Sequence, residues 1–342
     1  MIRYRARYAV KFLTTFTVSL CFSSYSSVLA SETEHALTAA PEVQAVTKPQ
    51  WYTGSLVSPS GAMTQKGILA IEPYVTYNQP VGYIDSNGNI GPLHPRTKNI
   101  TNFTMIKYSI TDNVSVQTLP TFSYRWGGHG NQTSSGVKFS DLPVDVMWRY
   151  LDANPDRFIP ALSAFVGMAF PTGDYQRIDR TQDGVGSGTY TLRLALTEQS
   201  TYTLPGNHAL RLRMWATLRK PLNKAQLHGM SSYGTEPGFR GNARAGLFGS
   251  AGFSLEYGIN QKWVLAMDIA RDWSNGSRVR GVMKDGSIID NMGSPSGDWL
   301  AAPAVEFSWS PNFGVICGSS VYFAGHNTSL VVSPQCALNT VF

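Results

Sequence analysis

From Ile68 onward, apolar residues recur at every second position over one stretch after another. That is the period of a β-strand with two unlike faces, not of a helix. Leu69, Ile71, Val75 and Tyr77 alternate with Ala70, Glu72, Tyr74 and Thr76. The same pattern predicts strands over 100–109, 114–124, 141–150, 160–170, 190–197, 210–219, 243–257, 263–270 and 299–309. The stretch from Gly314 to Phe342 reads as an antiparallel pair. Val315, Cys317, Ser319, Val321 and Phe323 share one face. After the turn residues 325–328, Leu330, Val332, Pro334, Cys336, Leu338, Thr340 and Phe342 alternate again. The total is about twelve strands, each near the roughly 9–11 residues that a tilted membrane-crossing strand needs.

The connections alternate in length. Long ones fall near 78–97, 126–140, 172–187, 220–242 and 274–297, and short ones near 110–113, 151–159, 201–207, 258–262 and 309–313. Outer-membrane barrels place long loops outside and short turns on the periplasmic side. Only the last outer connection, 325–328, departs from this alternation. Tyr108, Tyr150, Tyr257, Trp263, Trp309 and Phe342 sit at strand ends on the short-turn side. Tyr77, Tyr124, Trp126, Trp273, Trp299 and Phe323 sit at the long-loop side. Two opposed aromatic rings fit the interfacial girdles of a barrel, although strand ends in a sandwich also carry aromatics. Pro120, Pro143, Pro303 and Pro334 fall inside predicted strands, where each removes a ladder hydrogen bond, so bulges or breaks are expected beside them.

A sheet in lipid must close on itself, because each unpaired backbone group there costs several kcal/mol. The expected fold is therefore all-β: a transmembrane antiparallel up-and-down β-barrel of about twelve strands over residues 67–342, with strand 330–342 closing against the strand from Ile68. By parity, the inward set includes Glu72, Arg125, Asp145, Arg149, Arg193, Arg211, Arg213, Arg219, Arg244, Glu256, Asp268, Asp272 and Glu306. The candidate lumen-lining residues are Glu72, Arg125, Asp145, Arg149, Arg193, Arg211, Arg213, Asp268 and Glu306. Charges of both signs inside a barrel read either as salt-bridged scaffold or as a selectivity device. Arg193, Arg211 and Arg213, on neighbouring strands, would give one wall a positive field.

Composition agrees with a strand-built membrane protein. Charged residues make up 15%, against about 25% in soluble domains. No run reaches the ~20 apolar residues of a membrane-crossing helix. Residues 1–30 read as a signal peptide: Arg3, Arg5, Arg7 and Lys11 precede the apolar stretch from Phe12 to Phe22, and Val28-Leu29-Ala30 offers a small-residue cleavage site. Removing those four basic residues from the formal charge of +6 leaves +2, so no nucleic-acid partner is expected. Residues 31–66 lack sustained alternation and form a periplasmic or plug-like segment.

One of the three cysteines leaves with the leader. If the last turn centres between His326 and Asn327, Cys317 faces Cys336 across the hairpin, in an oxidising compartment. The pair is a disulfide candidate; the alternative is two separate small apolar residues. The six histidines are His35, His94, His129, His208, His228 and His326, and no Cys/His metal spacing appears. Neither a metal nor a cofactor is expected, and the chain does not read as an enzyme.

Several short motifs resemble a known family. Trp51-Tyr52-Thr53-Gly54-Ser55-Leu56, Lys66-Gly67 and Ile71-Glu72-Pro73-Tyr74 are similar to the outer-membrane transporters associated with the meta-pathway of phenol degradation. So are the run from Phe165 to Asp174 and the Gly-Val-Gly-Ser-Gly loop at 184–188. The resemblance implies a barrel for uptake of small, hydrophobic or aromatic compounds, and brings no catalytic residues. The alternative is a non-conducting barrel that acts as an adhesin or structural protein through its long loops. The expected location is the cell outer membrane. The expected partners are outer-membrane lipid, a small-molecule substrate, and the barrel assembly machinery through Phe342.

Overall fold

The computed structural model describes residues 49–342, apart from Ser60, Ala62, Pro95, His129, Asn131 and the side chain of Asn207. The leader expected over 1–30, and the lead-in as far as 48, lie outside the described residues. The chain forms a closed antiparallel barrel of twelve strands. They are β1 Leu69–Ile84, β2 Thr97–Ser109, β3 Val114–Thr118 continued as Thr121–Gly127, and β4 Leu142–Leu151. Next come β5 Ala161–Phe170, β6 Thr191–Leu204, β7 His208–Pro221 and β8 Phe248–Asn260. The last four are β9 Trp263–Ser274, β10 Ser296–Ser310, β11 Phe313–His326 and β12 Thr328–Val341.

Each strand pairs with the next, and β12 returns to β1. Ala70 faces Val341, Thr76 faces Gln335 and Ile84 faces Thr328. The seam continues past the strand ends: the Leu69 N–H donates to the Phe342 carbonyl at 3.1 Å, and the Phe342 N–H to the Leu69 carbonyl at 2.8 Å. Alternation decides which side each residue takes. Val75, Ile100, Val146, Val166, Leu196, Leu265 and Val305 point outward and are exposed. Their neighbours Thr76, Asp145, Met147, Phe165, Thr197, Ala266, Ala304 and Glu306 are buried inside. An apolar exterior around a partly charged interior is the reverse of a soluble sheet protein, where apolar burial is the driving force.

The prolines act where the ladder allows. β3 breaks in two at Leu119 and Pro120. Between β1 and β12 the paired positions skip Glu72 and Pro73, and skip Tyr77, which faces Pro334. Between β10 and β11 they skip Ala302 and Pro303. Each gap removes a bond that a proline nitrogen could not have made.

The boundaries depart from the sequence reading at several places; β6, for one, runs to Leu204, into the turn expected over 201–207. β1 runs on to Ile84, so part of the loop expected over 78–97 is strand. The strand expected over 243–257 begins only at Phe248. Ala243 and Arg244 belong to a separate piece, Arg240–Arg244, which joins Ala225–His228, Arg278–Val282 and Ile288–Met292 in a four-stranded sheet. Both the β7–β8 and β9–β10 connections contribute to it. The alternation continues across 245–247, but the partner changes: Arg244 faces Arg278, whereas Phe248 faces Ser274. At the crossover a Cβ on Gly246 would stand 2.3 Å from the Gly276 carbonyl oxygen, so the two backbones pass closely only because this residue has no side chain. Arg244 is therefore exposed in this outer sheet and does not line the lumen, contrary to its parity assignment. Ala225, Leu227, Phe239, Ala243 and Val279 form the small core beneath that sheet.

The β11–β12 connection is Asn327 alone, held in the left-handed region at φ 51°. Asparagine tolerates that region better than most residues. Here Asn327 also donates its N–H to the Asp85 carbonyl at 3.2 Å and its Nδ2 to the Pro295 carbonyl at 2.9 Å. Further down the hairpin Cys317 faces Cys336. Their sulfurs are bonded, with Cα atoms 4.2 Å apart, on the outward side of the wall.

Candidate functional site in the barrel lumen

Residues 50–66 run through the inside of the barrel. Gln50 and Trp51 fasten the segment at the short-turn end, where the Gln50 Nε2 donates to the Asn260 carbonyl at 2.7 Å and the Trp51 N–H to the Gln261 carbonyl at 3.1 Å. The segment then meets two buried carboxylates of the wall. Glu306 Oε2 accepts from the Thr53 N–H at 2.6 Å, the Thr53 hydroxyl at 2.9 Å and the Gly54 N–H at 3.2 Å. Asp268 accepts from the Ser55 hydroxyl at 2.7 Å and the Val57 N–H at 3.0 Å. Across the lumen, the Ser163 hydroxyl on β5 donates to the Gly61 carbonyl at 3.4 Å. The chain returns to the short-turn end at Lys66, whose N–H donates to Asp112 at 2.8 Å. The polar Thr-Gly-Ser run fits this path because buried carboxylates need donors, and short side chains with free backbone N–H groups supply them.

Beside this contact lies the tightest charge cluster. Glu256 of β8 faces Arg211 of β7 and forms an ion pair with it. Glu256 Oε1 also forms an ion pair with Arg213 Nη2 at 3.3 Å. The Arg211 guanidinium stacks over the Tyr52 ring, 3.7 Å from its centroid, so the N-terminal segment caps this cluster as well. Glu256, Arg211 and Arg213 are all buried.

A second set of charges runs across the wall. The register places Lys107 of β2 opposite Gln117, Gln117 opposite Asp145, Asp145 opposite Gly167, Gly167 opposite Arg193, and Arg193 opposite Arg219. One continuous row thus crosses β2 to β7. Asp145 receives both Arg193 Nε at 2.7 Å and Arg193 Nη2 at 3.0 Å, although β5 lies between them. Gly167 makes that bridge feasible: a Cβ there would stand 2.1 Å from Asp145 Oδ1. Gln117 Nε2 donates to the other Asp145 oxygen at 3.3 Å. Arg219 lies over the Phe248 ring at 4.9 Å.

Between the N-terminal segment and this row is a cavity of about 340 Å³. Leu56, Tyr74, Phe103, Leu119 and Phe165 form its apolar side, and Lys107, Arg193, Arg213 and Arg219 its basic side. Tyr74 and Phe103 stack with centroids 4.3 Å apart. Its size and mixed lining suit a small organic molecule.

Among the residues singled out from sequence, Glu72, Asp145, Arg193, Arg211 and Arg213 line this cavity. Asp268 and Glu306 are buried beneath the N-terminal segment. Arg125 and Arg149 lie toward the two ends. Arg125 Nη1 donates to the Gly184 carbonyl of an outer loop at 2.7 Å, and Arg149 pairs with Asp152 at 2.7 Å beside the short turns. Sequence reasoning missed Lys107, Gln117, Tyr52 and the donors Thr53 and Ser55. On β2, Phe103, Met105 and Lys107 alternate with Thr104, Ile106 and Tyr108, so neither face stands out as the outer one.

The outer connections brace one another above the cavity. Asp141 accepts from the Gly173 N–H at 3.1 Å and from the Ser187 N–H and hydroxyl at 2.8 and 2.6 Å. Gln182 Nε2 donates to the Gly127 carbonyl at 2.8 Å, and the Tyr233 hydroxyl to the Ser187 carbonyl at 2.5 Å. Burial, and then the charge of nearby Asp141, push the Tyr233 hydroxyl up to about 12, so it remains a donor at physiological pH.

No family model matches the chain, and no curated protein matches it. Among solved structures, it is similar to the COG4313 outer membrane channel from Pseudomonas putida F1, with a TM-score of 0.60 and 16% identity over 84% of this chain and 100% of that one. That likeness establishes the fold, which is that of an outer-membrane β-barrel. The transport unit of the autotransporter AIDA-I from Escherichia coli aligns with a TM-score of 0.43 and 13% identity, over 85% of this chain and 95% of that one. The TodX monoaromatic hydrocarbon channel deltaS2 mutant aligns with a TM-score of 0.37 and 10% identity, over 81% of this chain and 90% of that one.

Proposed function

We propose that the protein is an outer-membrane channel for small solutes, with residues 50–66 forming a constriction inside it. The observation that carries this reading is a closed wall with an apolar exterior around a charged and aromatic cavity. A purely structural barrel has no need of such a cavity. In this reading lipid covers the outward face, the aromatic strand ends sit at its two interfaces, and Phe342 serves assembly at the short-turn end. The Cys317–Cys336 bond, on the outer side beside the seam, belongs to the wall and not to transport.

The N-terminal segment is fastened mainly through Glu306 and Asp268. Hydrogen bonds to charged acceptors contribute roughly 1.5–3 kcal/mol each, so neutralising both acceptors weakens the fastening by several kcal/mol. The Asp268→Asn/Glu306→Gln double variant is expected to show a higher and noisier single-channel conductance in planar bilayers than the wild type. If neither protein conducts although both show heat-modifiable migration, the channel reading fails.

A further inference from the structure

The two arginines that end the row across the wall differ in one respect. Arg193 gives the Nε–Nη2 edge of its guanidinium to both oxygens of Asp145. Arg219 stands directly opposite Arg193, and like charges directly opposed across two strands destabilise the pair. Among the described residues no carboxylate lies within ion-pair distance of Arg219. Its one close side-chain partner among the described residues is the face of Phe248, and it lines the cavity. A half-buried guanidinium facing a second one calls for an anion.

A second polar group lies beside Arg219. Thr217 follows Arg219 on the inward face of β7, about 6.6 Å further along the strand. Both line the cavity. Among the described residues, the buried Thr217 Oγ1 has no hydrogen-bond partner. One further strand over, Thr217 faces Ala195 and Ala195 faces Phe165. The small Ala195 leaves space between a hydroxyl and a guanidinium on one side and an aromatic ring on the other.

We propose that this cavity binds a small carboxylate with an apolar body, its oxygens on Arg219 and Thr217 and its body over Ala195 against Phe165. A carboxylate matches the planar fork of an arginine and can also accept from a hydroxyl. A neutral molecule of the same shape would leave Arg219 without a counter-charge. The inference deepens the channel reading and rests on it, since it names the class of solute.

The test uses the full chain, purified and folded in detergent, with sodium benzoate, benzyl alcohol and sodium acetate as calorimetric ligands. Benzoate is expected to bind at least tenfold more tightly than either benzyl alcohol, which lacks the charge, or acetate, which lacks the body. Arg219→Gln is expected to weaken benzoate at least tenfold and leave benzyl alcohol unchanged, and Arg219→Lys to lose less. Benzoate binding no tighter than benzyl alcohol would overturn the proposal on the wild type alone, whether or not a variant folds. So would undiminished benzoate binding by a folded Arg219→Gln. Bilayer conductance of the same wild-type preparation separates the two readings. Conduction without preference for benzoate removes only the ligand assignment, and benzoate binding without conduction removes only the channel.

Discussion

Two charged regions share one lumen but resolve their charges differently. In the lower one, beside the short turns, Glu256 binds Arg211 and Arg213, while Glu306 and Asp268 take hydrogen bonds from the N-terminal segment. In the row above it, Asp145 holds Arg193, and Arg219 is left facing the cavity. The first region gives each of its arginines a carboxylate and acts as scaffold. The second keeps a cation for something that is not part of the chain. Buried charge alone therefore does not mark a site; incomplete pairing beside open volume does.

The comparison can be broken at several points. The largest effect is expected from Glu256→Ala. It would leave two buried guanidinium groups without their shared acceptor, at a cost of about 3–5 kcal/mol. The measurement is the temperature at which the heat-modifiable band converts, compared with the wild type. A Glu256→Ala protein that melts with the wild type would show that the lower cluster is not scaffold. Gly167→Ala is expected to cost less, about 1–3 kcal/mol, because the added methyl group must displace Asp145 or the Val144 carbonyl. It should also detach Arg193 from Asp145. An anion titration should then find two available arginines in the upper row, and an unchanged titration would refute the role given to Gly167.

The smallest effect is expected from Asp290→Asn in the outer sheet. Hydrogen bonds from Arg278 and then Arg280 hold the Asp290 carboxyl below the usual carboxylate range, but the group is fully exposed. A lowered pKa contributes stability above the ordinary value of 3.8 and loses it as the pH falls below that value. The thermal midpoint should therefore show no dependence on this residue between pH 5 and pH 8, roughly the physiological window, where the pair is formed and solvent screens it. A clear drop in that window would place Asp290 among the buried pairs instead.

Much of the wall could be read from the chain. The period of two assigned most residues to the outer or inner side, and the alternation of long and short connections set the direction of each strand. Reading failed where the period persisted but the partner changed, as at Arg244, because alternation does not identify which strand lies alongside. It also failed where both faces are apolar, as at Lys107. Residues 50–66 carried no period, and their contacts at sequence separations above 200 residues leave no local trace.

The sequence by itself determined that the chain makes a sheet with one apolar face, long enough to close, and that most of its strand charges turn inward. These follow from local sterics and from the need to pair every backbone group. Only the tertiary structure decided which of those charges meet. Register brought Asp145, Gly167, Arg193 and Arg219 into one row, and the path of the N-terminal segment capped Glu306 and Asp268 but not Arg219. Pairing depends on distances across strands, which a one-dimensional pattern does not contain.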